Sequence, residues 1–290
     1  MEYYCYFNNV LTGIAFRNYD AEFKRYHKLV LSSMKEFGFG SRSQLESRIL
    51  EEVTELIKHF RNADEQAFDP TELIILSSSN VPINMMFGRR SDYKDGMTEA
   101  IYQMKRYVDA IDAAVNLFPV LRFFPPHSKR FKELLDSLQK VLEALGKEVD
   151  LSFNDKDTDC FVRRYIEKEG LNYDREQLMY TLRDFLGGST DTTATTLLWF
   201  FIFIANNPKV AERLQVDIDS VVPRGRLPTT DDQQSLPYVE ATILELQRHK
   251  AALPLSIPHM TLHDTEVLGY FIPADTMVRG VGLFCILLLR

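Results

Sequence analysis

Residues 185–196, FLGGSTDTTATT, contain residue types that could support chemistry: two glycines, one acid and five threonines. Asp191 and Thr192 place a carboxylate beside a hydroxyl, a pair that can pass a proton into a site from which water is excluded. Gly188 carries no side chain, so a flat ligand or a small gas molecule can approach the backbone there. The stretch therefore predicts a proton-transfer site beside such a ligand.

Two local structures are compatible with this stretch. In the first, Gly188 ends one helix and Ser189 or Asp191 caps the next. In the second, one helix runs through but is locally opened, because the Thr192 hydroxyl bonds the Gly188 carbonyl four residues earlier. Such bonds bend helices, and irregularities of this kind cluster at functional sites. The residues alone leave both alternatives open.

The elements that must position this stretch are mainly α-helical. Apolar residues at helical spacing predict a bundle around a long central helix at residues 173–206. The second half of that helix, LLWFFIFIA (197–205), is apolar all round, so burial on every side is expected. A β-hairpin is expected over residues 264–280, turning at Pro273–Asp275. Further helices are expected at 21–37, 43–61, 70–88 with a kink or break at Pro82, 96–117, 128–148, 157–168, 208–221 and 238–250.

Composition narrows the class of protein. Of 290 residues, 45% are hydrophobic and 26% charged, which is typical of a globular protein with a core. The net charge of −7 argues against nucleic acid as the main partner. Cys5, Cys160 and Cys285 are far apart and form no CxxC pair, so neither a zinc site nor a disulfide framework is expected. No apolar run is long enough for a membrane span, so no membrane anchor is expected in these residues.

The hexapeptide GSTDTT (188–193) resembles the oxygen-activating helix of the haem-thiolate monooxygenases, the cytochrome P-450 family. The family pattern there is Ala/Gly-Gly-x-Asp/Glu-Thr-Thr/Ser. Gly188, Asp191 and Thr192 match it, while Ser189 replaces the second glycine.

A second motif, ELQR, places Glu245 and Arg248 three residues apart on one helical face. The spacing alone says little, since EFKR (22–25) has it too. The segment around the second motif, residues 236–278, resembles the family continuously. With upstream stretches such as SSNVPINMMFGRRSDYKD, the resemblance covers residues 15–280 and is strongest to microsomal, family-two-like members.

The resemblance implies a mainly α, partial cytochrome P-450 fold. Residues 1–280 would be part of the catalytic domain, and residues 281–290 would be an atypical apolar tail. The implied reaction inserts one atom of O2 into a small apolar organic substrate at a haem (heme) cofactor. Electrons would come from NADPH through NADPH-cytochrome reductase. The implied location is the cytoplasmic face of the endoplasmic reticulum membrane.

The resemblance also assigns roles to individual residues. Asp191 and Thr192 would deliver protons for the reaction with O2, and Gly188 would lie at the haem. Glu245 and Arg248 would lock their helix to the core. Phe23 and His27 replace the Trp and Arg that reach the haem propionates in the family, and His259 could serve as another propionate contact. Leu253 and Ile257 would line the substrate pocket.

The family's iron ligand is a cysteine in a Phe-x-x-Gly-x-Arg-x-Cys-x-Gly loop, and this pattern does not occur in the chain. Cys285, in GLFCILLLR, lacks the glycine and arginine of that loop. No residue is therefore assigned as a metal ligand, and we expect a truncated member that is inactive as given. One alternative is a non-catalytic helical fragment that binds a lipid or a partner without haem. Another is a scaffold without a ligand.

Overall fold

The computed structural model describes residues 13–280, apart from positions 16, 38–41, 64–65, 113, 116–117, 156 and 255. Helices dominate this part of the chain, and short antiparallel strands lie near its C-terminal end. The predicted mainly α fold with a little sheet is thereby confirmed. The helices are α1 Ala21–Phe37, α2 Arg42–Asn62, α3 Thr71–Phe87, α4 Gly96–Asp109, α5 His127–Asn154, α6 Phe161–Glu169, α7 Arg175–Asn206, α8 Pro208–Val221 and α9 Pro237–His249. The strands are β1 His259–Met260, β2 Thr265–Val267, β3 Tyr270–Ile272 and β4 Met277–Val278.

The chain divides into two compact units, residues 2–194 and 195–290. The long helix α7 contributes residues 175–194 to the first unit and residues 195–206 to the second. The assignment of residues 1–280 to one catalytic domain stays a prediction. The apolar tail at 281–290 lies outside the described residues.

Helix α3 shows how local sequence sets helix ends. Its first turn follows Pro70, and the Asp69 carboxylate accepts the Thr71 N–H at 2.9 Å. The helix continues through Pro82 to Phe87, so a break at this proline is not observed. It ends at Gly88, whose φ of 73° is left-handed. A Cβ at Gly88 would lie 2.4 Å from Thr158 Cγ2, so any other residue would have to displace that side chain as well as adopt the left-handed φ.

Helix α4 ends earlier than the sequence pattern predicted, at Asp109 rather than near residue 117. The Asp112 carboxylate accepts the Ala114 N–H at 2.9 Å and lies 2.6 Å from His127 Nδ1. Asp112 thus begins a new helical turn at residues 114–115, separate from α4, where the Phe118 N–H donates to the Ala114 carbonyl at 2.8 Å. A 3₁₀ helix, Pro119–Phe123, follows before α5.

The hairpin turn was predicted in the wrong place. Strands β2 and β3 pair with Val267 opposite Tyr270, so the two turn residues are Leu268 and Gly269. Both have positive φ, 53° and 84°, as tight hairpin turns require. Proline cannot adopt positive φ, which excludes Pro273 from such a turn. Residues 273–275 instead lead into β4, which pairs with β1.

The second half of α7 is also less buried than its composition predicted. Each of residues 197–205 is at least partly exposed, and Leu197 and Ile202 retain 38% and 50% of their surface. Lys250 covers one side, with its Nζ 4.3 Å from the Trp199 ring centroid. The described elements of the second unit thus cover only part of this apolar surface.

An ion pair on α7 lies in the core of the first unit. Arg183 is only 2% exposed, and its Nη2 lies 2.5 Å from Asp184 Oδ1. The other carboxylate oxygen of Asp184 accepts the Ala15 N–H at 2.9 Å. The backbone at Gly13 lies so close to this oxygen of Asp184 that a Cβ at Gly13 would be only 2.0 Å from it. Asp184 therefore holds residues 13–15 against the central helix while balancing a buried charge.

A second buried carboxylate joins α2, α3 and the loop after α3. Glu52 is 3% exposed, and Arg90 Nε approaches its Oε2 at 3.1 Å. The Tyr93 hydroxyl and the Asn80 side-chain amide donate to its other oxygen. The buried charge is thus both paired and hydrogen-bonded, as stable burial requires.

In the 290-residue chain, Asp184→Asn is expected to lower the free energy of unfolding by about 3–5 kcal/mol, because it leaves Arg183 buried without a counter-charge. Asp159→Asn is the matched control. Asp159 pairs with Arg164 at the surface, where a pair contributes at most about 1 kcal/mol. Urea denaturation followed by circular dichroism measures both. Equal midpoint shifts would contradict the role of the buried pair.

Candidate functional site

Helix α7 runs without interruption through the threonine-rich stretch. The alternative of a helix boundary at Gly188 is therefore wrong. The Thr192 hydroxyl donates to the Gly188 carbonyl at 2.7 Å, as predicted for the continuous helix. The hydroxyls of Ser189 and Thr190 make the same type of bond, to Phe185 at 2.9 Å and to Leu186 at 2.7 Å. Three side chains thus share carbonyls with the backbone ladder over little more than one turn.

One face of this stretch is fixed in the core. Thr190 is fully buried, and its hydroxyl lies 3.0 Å from the Ser79 hydroxyl on α3. The opposite face is open, since Gly188 is exposed and a Cβ there would meet no atom within 4 Å. Thr192 lies one turn after Gly188 on this same face. The helix therefore presents bare backbone and one hydroxyl side by side.

A lysine flanks the acid of the motif. Lys105 Nζ on α4 lies 3.3 Å from Asp191 Oδ1 and 2.5 Å from Asp109 Oδ1. Partial burial lowers the pKa of Lys105, but the carboxylates of Asp109 and Asp191 outweigh this and raise it above its ordinary value. The side chain of Asp191 remains 35% exposed. The acid thus combines a fixed cationic partner with access to solvent.

The residues expected at the haem edge fall in different units. Phe23 and His27 lie together on α1, both half-buried, with stacked rings whose centroids are 5.3 Å apart. His259 belongs to the second unit and is exposed, with its Nδ1 2.8 Å from the Ile257 carbonyl oxygen. Their contact with a propionate stays a prediction.

Glu245 and Arg248 form a two-pronged ion pair on α9, with both N–O distances 2.7 Å. Glu245 is 46% exposed, while the buried side of α9 carries Thr242 and Leu246. That the pair locks α9 to the core stays a prediction. The Arg248 guanidinium is the main cause that lowers the pKa of Glu245 to about 2.

The other match to the Glu-x-x-Arg spacing behaves differently. Glu22 pairs with Arg17 at 2.8 Å, and Arg25 pairs with Glu169 at 3.0 Å. The spacing by itself does not create the pair. The two residues predicted to line a substrate pocket, Leu253 and Ile257, are 51% and 48% exposed, and their role stays a prediction.

The described residues fit part of a haem site. The open face at Gly188 can take a flat macrocycle, and Phe23 with His27 offers ring and imidazole contacts for its edge. Within residues 13–280 as described, no group of three or more metal-binding side chains could hold an ion. Cys160 is buried, and burial raises its pKa, which favours the thiol over the thiolate that binds iron. Cys5 and Cys285 lie outside the described residues.

Sequence reasoning missed the residues that hold the site in place. Ser79 and Lys105 contact the central helix from α3 and α4, and Arg183 anchors that helix in the core from within it. No short motif indicates any of the three. Only Ser79 left a signal, because SSSN (77–80) is a polar run within an otherwise apolar helix. Buried polar groups need partners, so this run indicates contacts with another element.

An acid–hydroxyl pair beside exposed glycine backbone on a long unbroken helix is the arrangement that the resemblance to the haem-thiolate monooxygenases implied. Residues 4–281 match the family Cytochrome P450. The chain belongs to the cytochrome P450 family, whose cofactor is haem.

The curated relatives place it near family-two members. Cytochrome P450 2H2 of Gallus gallus is 32% identical over 278 residues, covering 92% of this chain and 56% of that protein. Cytochrome P450 2U1 of Rattus norvegicus is 31% identical over 280 residues, covering 92% and 53%. Cytochrome P450 2F2 of Mus musculus is 32% identical over 279 residues, covering 92% and 56%. The chain thus spans about half the length of these relatives.

Thr190 and Thr192 offer a matched test of the two faces. Thr190→Ala is expected to lower the free energy of unfolding by about 1–2 kcal/mol, from one buried hydrogen bond and one buried methyl group. Thr192→Ala is expected to leave stability unchanged or raise it by up to about 0.7 kcal/mol, because alanine is the better helix former. The urea denaturation midpoints of the two variants, compared with that of the unmodified 290-residue chain, measure both changes in stability. A larger loss for Thr192→Ala would mean that the open face is in fact packed.

Proposed function

We propose that this chain forms the oxygen-activating part of a haem-dependent monooxygenase that inserts one atom of O2 into a small apolar organic substrate. The observation that carries the proposal is the open face of α7, where Gly188, Asp191 and Thr192 lie together on an unbroken helix. Since the chain spans about half of its relatives, the activity is that of the whole protein.

Haem, when bound, supplies the binding and reduction of O2. Gly188 lets its flat surface approach the helix backbone. The Thr192 hydroxyl donates to the Gly188 carbonyl at 2.7 Å, and a hydroxyl oxygen can also accept a hydrogen bond from a donor such as water. Asp191 can exchange protons with solvent because its side chain is partly exposed. The ion pair with Lys105 fixes the position of the Asp191 carboxylate. Together they provide a short proton path to the open face.

The remaining assignments complete this proposal. Phe23, His27 and His259 would contact the edge of the haem. Glu245 with Arg248 would fix α9, and the pair is already formed. Electrons would reach the protein from NADPH through NADPH-cytochrome reductase. The residues that would line the substrate pocket are Leu253 and Ile257.

A second candidate is a helical fragment that binds a lipid or partner without haem. It is favoured by Cys160, the cysteine among the described residues, which is buried with a raised pKa and so is not suited to bind haem iron as a thiolate. The two candidates differ in one observable, which is whether residues 15–280 support haem binding when a cysteine loop is supplied.

The test uses a chimera in which residues 15–280 replace the matching segment of the chicken relative. Thr192→Ala is expected to fold and bind haem but to lower product formed per NADPH, with more hydrogen peroxide released. A positioned proton-transfer group contributes about 10²–10⁴-fold to rate, so the loss of product should be large. Asp191→Asn should slow turnover in the same assay.

Thr193→Ala is the matched control, since Thr193 is an exposed threonine on the same turn. It should leave coupling unchanged. Full coupling in Thr192→Ala would overturn the assigned role of this hydroxyl. A chimera that folds but takes up no haem would favour the second candidate.

We also propose that the protein works at the cytoplasmic surface of the endoplasmic reticulum membrane. No described helix has both the length and the apolar character needed to cross a bilayer. The segment around the 3₁₀ helix exposes large apolar side chains, which suit the boundary between water and lipid. The exposed fractions are 61% for Phe118, 59% for Val120, 68% for Phe123 and 57% for Phe124.

Replacing Phe123 and Phe124 together by Ser is expected to weaken binding of the 290-residue chain to phosphatidylcholine vesicles severalfold, because two aromatic rings no longer enter the interface. Sedimentation of protein with vesicles measures this. Leu171→Ser is the control, since it also removes an exposed apolar side chain but from a different segment. Equal losses in both variants would argue against a specific membrane-facing segment.

A further inference from the structure

A polar cleft of about 540 Å³ opens in the first unit, beside the C-terminal ends of α1 and α3 and the first turns of α2. Its walls include the ring of Phe37, the amide of Asn84 and several charged side chains. None of these residues belongs to the threonine-rich site. The volume falls within the range of small-molecule sites in proteins.

Three of the charged side chains in the cleft already have partners elsewhere. Arg89 lies 2.5 Å from Glu148, and Arg90 lies 3.1 Å from buried Glu52. Asp159 accepts two hydrogen bonds from Arg164, at 2.8 and 3.2 Å. These charges are neutralised within the protein, so they do not set the charge that a ligand must carry.

Arg48 has no such counter-charge, since among the described residues no carboxylate lies within ion-pair distance of it. Its guanidinium stacks on Phe37, with Cζ 4.8 Å from the ring centroid. Its Nη1 donates to the main-chain oxygen of Asn84 at 2.9 Å and to the side-chain oxygen. The other two nitrogens of Arg48, Nε and Nη2, are not used in these contacts. This edge of a guanidinium presents two parallel N–H groups that match the oxygens of a carboxylate or phosphate.

Glu51 lies three residues along α2, where it could ordinarily pair with Arg48. It does not do so. Its Oε2 instead accepts the side-chain N–H of Asn84 at 3.2 Å, and no cation within the described part of the chain lies within ion-pair distance. The Asn84 amide thus binds the arginine through its oxygen and the glutamate through its nitrogen. It separates the two charges and leaves both facing the cleft.

We infer that this cleft binds a small zwitterion, with its carboxylate or phosphate on Arg48 and its ammonium group on Glu51. A simple anion would be repelled by Glu51, and a simple cation by Arg48. A ligand that carries both charges a few bonds apart satisfies both side chains. Phosphoethanolamine and short amino acids have this chemistry, either as free molecules or, for the former, as a phospholipid headgroup.

The test is isothermal titration of the 290-residue chain with phosphoethanolamine, inorganic phosphate and ethanolamine. Phosphoethanolamine is expected to bind saturably and at least tenfold more tightly than either part alone. Titration with β-alanine then distinguishes a carboxylate site from a phosphate site. Titration with a water-soluble short-chain phosphatidylethanolamine distinguishes a lipid headgroup from a free molecule, because only an open headgroup site accepts the acyl chains.

Two substitutions separate the two charges. Arg48→Gln should weaken the binding of phosphoethanolamine at least tenfold. Glu51→Gln should also weaken the binding of phosphoethanolamine but should strengthen the binding of inorganic phosphate. Arg106→Gln, at an exposed arginine of α4, is the control and should change neither. If Arg48→Gln loses its circular dichroism signal, Arg48→Lys replaces it, because lysine keeps the charge but lacks the parallel N–H pair.

Three results would overturn the inference: no saturable binding to the unmodified chain, equal affinity for phosphate and phosphoethanolamine, or equal weakening by Arg106→Gln. Stronger phosphate binding in the unmodified chain than in Glu51→Gln would also contradict it, since Glu51 would then not face the bound anion.

Discussion

The central helix can leave one face open because its other face is fixed inside the first unit. Glycine and several threonines are poor helix formers, and the hydroxyls of this stretch compete for the carbonyls of the ladder. Tertiary contacts compensate for this weakness. Thr190 meets Ser79 in the core, and Arg183 is buried against Asp184 one to two turns earlier. Gly188 and Thr192 can then face outward without the helix breaking.

The two carboxylates in the core of the first unit, Asp184 and Glu52, each contact more than one partner. Asp184 balances Arg183 and also holds the N–H of Ala15. Glu52 accepts from Arg90 and from the Asn80 amide. A buried charge is costly without an opposite charge beside it, and each of these carboxylates meets an arginine. Each carboxylate therefore ties a loop to a helix, residues 13–15 to α7 through Asp184 and residues 90–93 to α2 through Glu52.

The Asn84 amide shows the opposite use of a polar group. Where Asp184 brings opposite charges together, Asn84 keeps Arg48 and Glu51 apart. An amide can do this because it has a donor and an acceptor on one rigid plane. The two arrangements have different consequences. The Arg183–Asp184 pair is neutralised in the core, whereas Arg48 and Glu51 keep their charges exposed to the cleft.

The sequence by itself determined the helical class and the position of the central helix, because these follow from local periodicity. It left open whether that helix continues through Gly188, and the structure decided for an unbroken helix. The sequence did not determine the hairpin turn, where positive φ at Leu268 and Gly269 decided against Pro273. Nor did it determine the exposure of Glu245, or the partners Ser79 and Lys105, which lie some 111 and 86 positions from their contacts. Burial and long-range pairing depend on which helices pack together, and only the tertiary structure decides that.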